Sequence, residues 1–171
     1  MKGSVLVVLM AILLAGIAWT EEVELPKGAV SLQGGGSLVA PVGVELEFFQ
    51  GSVGLSLETR LFVLKLSGDW VGTLEPGINL RYYFSGVDGG LFAFTGVDFL
   101  SLWWLSSFTL EQGIVKARAG LGYNWLFGSG GNWRVGLEIG AAWLQEIIEG
   151  DPYDIHFPLV PHLMLVLGRM F

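Results

Sequence analysis

The sequence predicts an all-β protein, an eight-stranded antiparallel up-and-down transmembrane β-barrel. Three observations lead there: an apolar, charge-poor and glycine-rich composition, a period-two hydropathy pattern, and aromatic residues grouped at segment ends. Of 171 residues, 52% are hydrophobic, 15% are charged and 26 are Gly. An ordinary soluble domain carries roughly 25% charged residues. A bundle of membrane helices needs several charge-free runs of about 20 residues, and only the first 20 residues supply one. One domain is expected at this length.

The N-terminus reads as an address. Met1 and Lys2 form a basic start, Val5 to Ile17 is apolar throughout, and Gly16-Ile17-Ala18 places small residues where signal peptidase cuts. Residues 1–18 are thus expected to be a cleaved signal peptide, 19–27 a periplasmic N-terminal segment and 28–171 the barrel. Removal of 18 residues leaves 171 − 18 = 153 and, with Lys2 gone, shifts the formal charge from −7 to −8. With no Cys, neither a disulfide framework nor a Cys-ligated metal site nor a lipidated cysteine is available.

From Gly28 onward, alternate side chains fall on opposite faces of a strand. Val42, Val44, Leu46 and Phe48 alternate with Gly43, Glu45 and Glu47; Val53 to Val63 continues the pattern, with Glu58 and Arg60 on the polar face. Ile78, Leu80, Tyr82 and Phe84 oppose Asn79, Arg81 and Tyr83, while Val115 to Trp125 oppose Lys116, Arg118 and Asn124. Eight segments result, approximately 28–35, 40–49, 52–64, 70–84, 90–103, 113–127, 132–145 and 157–171. The first and fifth carry the weakest pattern. Gln50-Gly51, Ser85–Gly89 and Gly128–Gly131 read as short turns, Trp104–Gln112 and Gln145–His156 as longer loops. Tight periplasmic turns facing longer external loops are the asymmetry of an outer-membrane barrel, and both chain ends then lie on the periplasmic side.

Aromatic positions follow this topology. Phe48, Tyr82, Phe84, Tyr123, Trp125, Phe127, Trp133 and Phe171 fall at the expected periplasmic ends of the apolar face, and Trp70, Trp103, Trp143 and Phe157 near the external ends. A soluble barrel with its apolar face inward would have no use for two such belts. The polar face then turns inward, carrying the acids Glu45, Glu47, Glu58, Glu75, Asp98 and Glu138 and the bases Arg60, Arg81, Lys116, Arg118 and Arg134. Eight strands enclose room only for side chains, so these charges must pair. Folding the hairpins predicts Arg60 opposite Glu75 and Asp98 opposite Lys116.

The final segment, Phe157 to Phe171, sets Leu163, Leu165, Leu167 and a terminal aromatic on one face. This resembles the C-terminal assembly signal of outer-membrane barrels, with Phe171 as its last residue. Residues 28–171 resemble a small eight-stranded outer-membrane barrel of the OmpX/OmpA-domain type, departing from the pattern at Arg169, whose long stem can snorkel to the interface. The resemblance implies as partners the outer-membrane lipid, including lipopolysaccharide, and the barrel-assembly machinery acting through the last strand. It also implies a Gram-negative-type envelope and a monomer.

The expected function is non-enzymatic, in envelope structure or surface interaction through the external loops, with no cofactor. The alternative is a lipid A acyltransferase or deacylase at the external rim, drawing on His156, His162, Ser106, Ser107, Glu146, Glu149, Asp151 and Asp154; no His-x-Ser spacing on a strand supports it. A narrow ion pore is a further alternative, though open pores need more strands. His162 is expected inward beside Val160 and Met164. Gly34-Gly35-Gly36 and Gly128–Gly131 read as turns, since neither opens a helix that could hold phosphate. The 146–154 loop lacks the spacing of a calcium site, and an acidic chain without a basic patch excludes nucleic acid.

Overall fold

Eight strands follow one another in sequence order in the computed structural model, which describes residues 27–171 apart from 37–40, 67, 88, 106, 108, 129–130 and 149–158. They are β1 (Lys27–Gly35), β2 (Val42–Gln50), β3 (Val53–Leu66), β4 (Asp69–Tyr83), β5 (Gly90–Trp104), β6 (Thr109–Phe127), β7 (Trp133–Ile148) and β8 (Leu159–Met170). Each pairs antiparallel with its neighbours, and β8 returns to β1 to close the barrel. The described residues contain no helix. The expected signal peptide lies outside them.

Closure is secured where the start of β1 meets the end of β8. Gly28 N donates to Phe171 O at 3.0 Å, and Phe171 N donates back to Gly28 O at 2.9 Å. The Phe171 ring lies where a β-carbon on Gly28 would stand, so glycine at this position leaves room for that last aromatic. The end of the barrel where β1 begins and β8 finishes, here the terminal end, also carries the β2–β3, β4–β5 and β6–β7 turns. At the first of these, Gly51 takes a φ of +57°, in the left-handed region that favours glycine.

Two expectations about connections are corrected. Residues 104–112 do not form a long loop, because β5 runs through Trp104 and β6 starts at Thr109. A bulge between Leu102 and Trp103 absorbs the offset and lets the ladder continue to the Trp104–Thr109 pair. Gly34 and Gly35 belong to β1 rather than to a turn; the strand ends where Gly35 and Gly36 adopt φ of +92° and +77°. The wall is uneven as a result: β1 and β2 have 9 residues each, whereas β6 has 19.

Burial is inverted relative to a soluble protein. Leu163 and Leu165 are each 59% exposed on the outer face, whereas Arg60, Glu47, Glu75 and Glu138 are 0% exposed on the inner face. Strand alternation alone produces the sorting: apart from Thr59, which lies between Glu58 and Arg60, the outward neighbours of the inward charges are apolar.

A charged interior between the two ends of the barrel

All eleven charged side chains that the sequence assigns to the inner face are buried there. The ladders bring them together. Glu45 pairs with Glu58, Glu58 with Gly77, Gly77 with Asp98, and Asp98 with Lys116, which sets four charges on one row across five strands. Glycines in these rows hold the backbone back from the long chains. A β-carbon on Gly77 would collide with the Asp98 carboxylate, and one on Gly43 with the Arg60 stem.

Nearest the termini, Phe49, Tyr83, Phe92 and Phe94 close the bore together with Ala29. Phe49 and Tyr83 meet edge to face at 5.7 Å, and Tyr83 and Phe92 lie 5.2 Å apart. Two guanidinium groups rest on this aromatic plate, Arg81 over Phe92 at 5.5 Å and Arg134 over Phe49 at 6.0 Å.

Above the plate stand Arg81 and Arg134 with Glu45, Glu47 and Glu138. Arg81 grips Glu45 as a fork, Nη1 to Oε1 at 2.9 Å and Nη2 to Oε2 at 2.6 Å, and its Nε donates to Glu138 Oε1 at 3.0 Å. Arg134 donates to Glu47 Oε2 and Glu45 Oε1, each at 2.5 Å, and through Nε and Nη2 to Ser31 Oγ at 3.1 and 2.8 Å. The Tyr83 hydroxyl donates to Glu47 Oε1 at 2.8 Å.

A second cluster lies toward the other end, here the far end: Arg60, Lys116 and Arg118 with Glu58, Glu75 and Asp98. Arg60 Nη2 sits 3.0 Å from both Glu58 and Glu75 and 3.1 Å from Asp98. Lys116 contacts Glu75 and reaches Asp98 Oδ2 at 3.2 Å; Arg118 contacts Glu58 and reaches the same Asp98 oxygen at 3.2 Å. Both pairs expected from hairpin folding, Arg60 with Glu75 and Asp98 with Lys116, are therefore present. They are not isolated pairs, because each cation serves at least two carboxylates. Gln33 Nε2 joins the two clusters, donating to Glu45 Oε2 at 2.7 Å and to Glu58 Oε2 at 2.8 Å.

No protein-family model, no curated protein and no solved structure matches this chain. The chemistry of the interior must be read from its own geometry. Three bases face three acids in the far cluster, and two bases face three acids in the terminal one. His162 Nε2 lies 3.5 Å from Glu138 Oε2, and its ring sits 5.4 Å from that of Phe94. The imidazole is thus an interior group between the clusters, away from the rim. Of the other residues considered for rim chemistry, His156, Ser106, Glu149, Asp151 and Asp154 lie outside the described residues, as does the Glu146 side chain, and Ser107 is exposed with an interaction of its own. Among the described residues, no group of His, Cys, Asp or Glu is disposed to hold a metal ion.

On the outer face, Trp70, Tyr82, Phe84, Tyr123, Trp125, Phe127, Trp133, Trp143 and Phe171 are exposed. Phe48 and Trp103 are half-buried, and Phe157 lies outside the described residues. Sequence reasoning left Phe49 without a role, although it continues the inward Gly43, Glu45, Glu47 series. It likewise left out Gln33, whose link between clusters depends on three strands meeting.

Proposed function

We propose that this chain is a non-enzymatic outer-membrane β-barrel of the OmpX/OmpA-domain type, exported by a cleaved signal peptide and plugged by its own side chains. It serves envelope structure or surface interaction through the loops at its far end. The observation that carries the reading is the inverted burial: charges fill the inside and aliphatic side chains cover the outside. In water that outer face would be an unpaid exposed apolar surface, whereas in a bilayer it meets lipid while a closed ladder satisfies every strand edge.

The height of the apolar band agrees. Trp70 and Tyr82, both on the outer face of β4, are 12 residues apart (82 − 70). At about 3.3 Å per residue and a tilt of about 40°, that spacing spans roughly 30 Å along the barrel axis, the thickness of a hydrocarbon core. In this reading the terminal end is periplasmic, β8 with Phe171 is the strand offered to the assembly machinery, and a single chain completes the barrel.

The test is fractionation of expressing cells followed by gel mobility of the unheated and boiled protein. A heat-dependent shift in the outer-membrane fraction is expected. A soluble protein without a shift would overturn the membrane assignment. Mass spectrometry of lipid A from the same cells addresses the enzyme alternative, and a change in acyl-chain number on expression would overturn the non-enzymatic part.

A further inference from the structure

On the membrane reading just given, the outer wall should be free of charge between its two rims, and among the described side chains it is. Lys65 and Arg169 are the two outward-facing cations among them, and they stand at opposite ends of the barrel. Each lies directly across the ladder from a tryptophan. Lys65 pairs with Trp70 at the far tip of the β3–β4 hairpin, and Arg169 pairs with Trp133 at the terminal end of β7–β8. Each also lies over its partner's ring, Lys65 Nζ 5.9 Å and Arg169 Cζ 6.0 Å from the centroid. Trp70 and Trp133 are 52% and 44% exposed, so neither pair is covered by protein.

The chemistry of the two pairs is the same. An indole on the outer wall of a membrane barrel settles at the headgroup level, and the ring face holds the cation beside it through its quadrupole. The charge is thereby fixed at the height of the lipid phosphates while the stem lies along the apolar wall. The chain as a whole carries a formal charge of −7, and Asp69, exposed beside the β3–β4 tip, would repel an anion that lacked a local cation. These two positions are where an anion gains a partner.

We propose that Lys65–Trp70 and Arg169–Trp133 are two headgroup sites, one per leaflet, each holding the phosphate of a bilayer lipid. Arg169 offers a planar fork suited to two phosphate oxygens, Lys65 a point charge. The sites tie the barrel's vertical position to both lipid surfaces.

Native mass spectrometry of the purified barrel in a maltoside detergent, which contributes no phosphate, tests this with added phosphatidic acid. The wild-type protein is expected to retain two lipids, Lys65→Gln and Arg169→Gln one each, and the double variant none. Equal retention by all four proteins, or equal retention of the phosphate-free diacylglycerol, would overturn the sites. Displacement of the lipid by inorganic phosphate would overturn lipid as the source of the anion. Both residues are outward and exposed, so the variants should keep the heat-dependent gel shift; loss of that shift in the wild-type protein would refute the membrane reading itself, separately from the sites.

Discussion

The two charge clusters use the same residue types yet differ in how completely their hydrogen bonds are made. In the terminal cluster every Arg81 and Arg134 nitrogen has an oxygen partner, and of the three carboxylates only Glu138 Oε2 lacks a hydrogen bond. In the far cluster, Arg118 and Asp98 make ion-pair contacts but no hydrogen bond, Arg60 Nε and Glu75 Oε2 are buried without a hydrogen bond, and so are Ser56 Oγ and both Asn79 amide atoms. A buried charge is stabilising only when geometry and hydrogen bonds offset its desolvation. The terminal cluster comes closer to that condition, and aromatic rings lie beneath it. The far cluster balances charge, three against three, but leaves its directional bonds incomplete, so its contribution to stability should be smaller and more tolerant of change.

Substitutions in the two halves should separate accordingly, read by urea unfolding of the folded barrel in detergent or lipid. The largest loss is expected for Arg134→Leu, which strips Glu45, Glu47 and Ser31 of a shared donor and should cost about 3–5 kcal/mol. Stability within experimental error of wild type would erase the distinction drawn here. Arg60→Leu in the far cluster should cost less, about 2–3 kcal/mol, because Glu75 keeps Lys116 and Glu58 keeps Arg118. A cost equal to that of Arg134→Leu would show that the clusters are energetically alike.

The finest test uses two serines. Ser31 Oγ accepts from two Arg134 nitrogens, whereas Ser56 Oγ, equally buried, has no partner. Ser31→Ala should cost about 1–2 kcal/mol and Ser56→Ala close to nothing, since deleting an unsatisfied hydroxyl forfeits no bond. Equal costs, or the reverse order, would contradict the asymmetry.

Much of this was legible in the chain. Alternation with a period of two assigns inward and outward faces without knowledge of register, which is why all eleven inward charges, and Tyr83 and His162 with them, could be read directly. Hairpin folding adds the nearest cross-strand pairs, hence Arg60 with Glu75 and Asp98 with Lys116. Contacts across the bore were beyond reach: Arg81 to Glu138 and Arg134 to Glu47 join strands that are not neighbours. The extent of β5 and β6 was misjudged for a local reason, because the bulge at Leu102/Trp103 breaks the period at the point where the ladder continues.

By itself, the sequence determined the all-β class, the number and order of strands and the side of the wall each residue faces, because side-chain direction in a strand depends only on parity along the chain. Tertiary structure alone decided which charges share a cluster, where the aromatic plate seals the bore and which polar atoms go without partners. Those outcomes depend on closure of the barrel and on the relative stagger of all eight strands, and stagger is set by the whole ring of ladders at once.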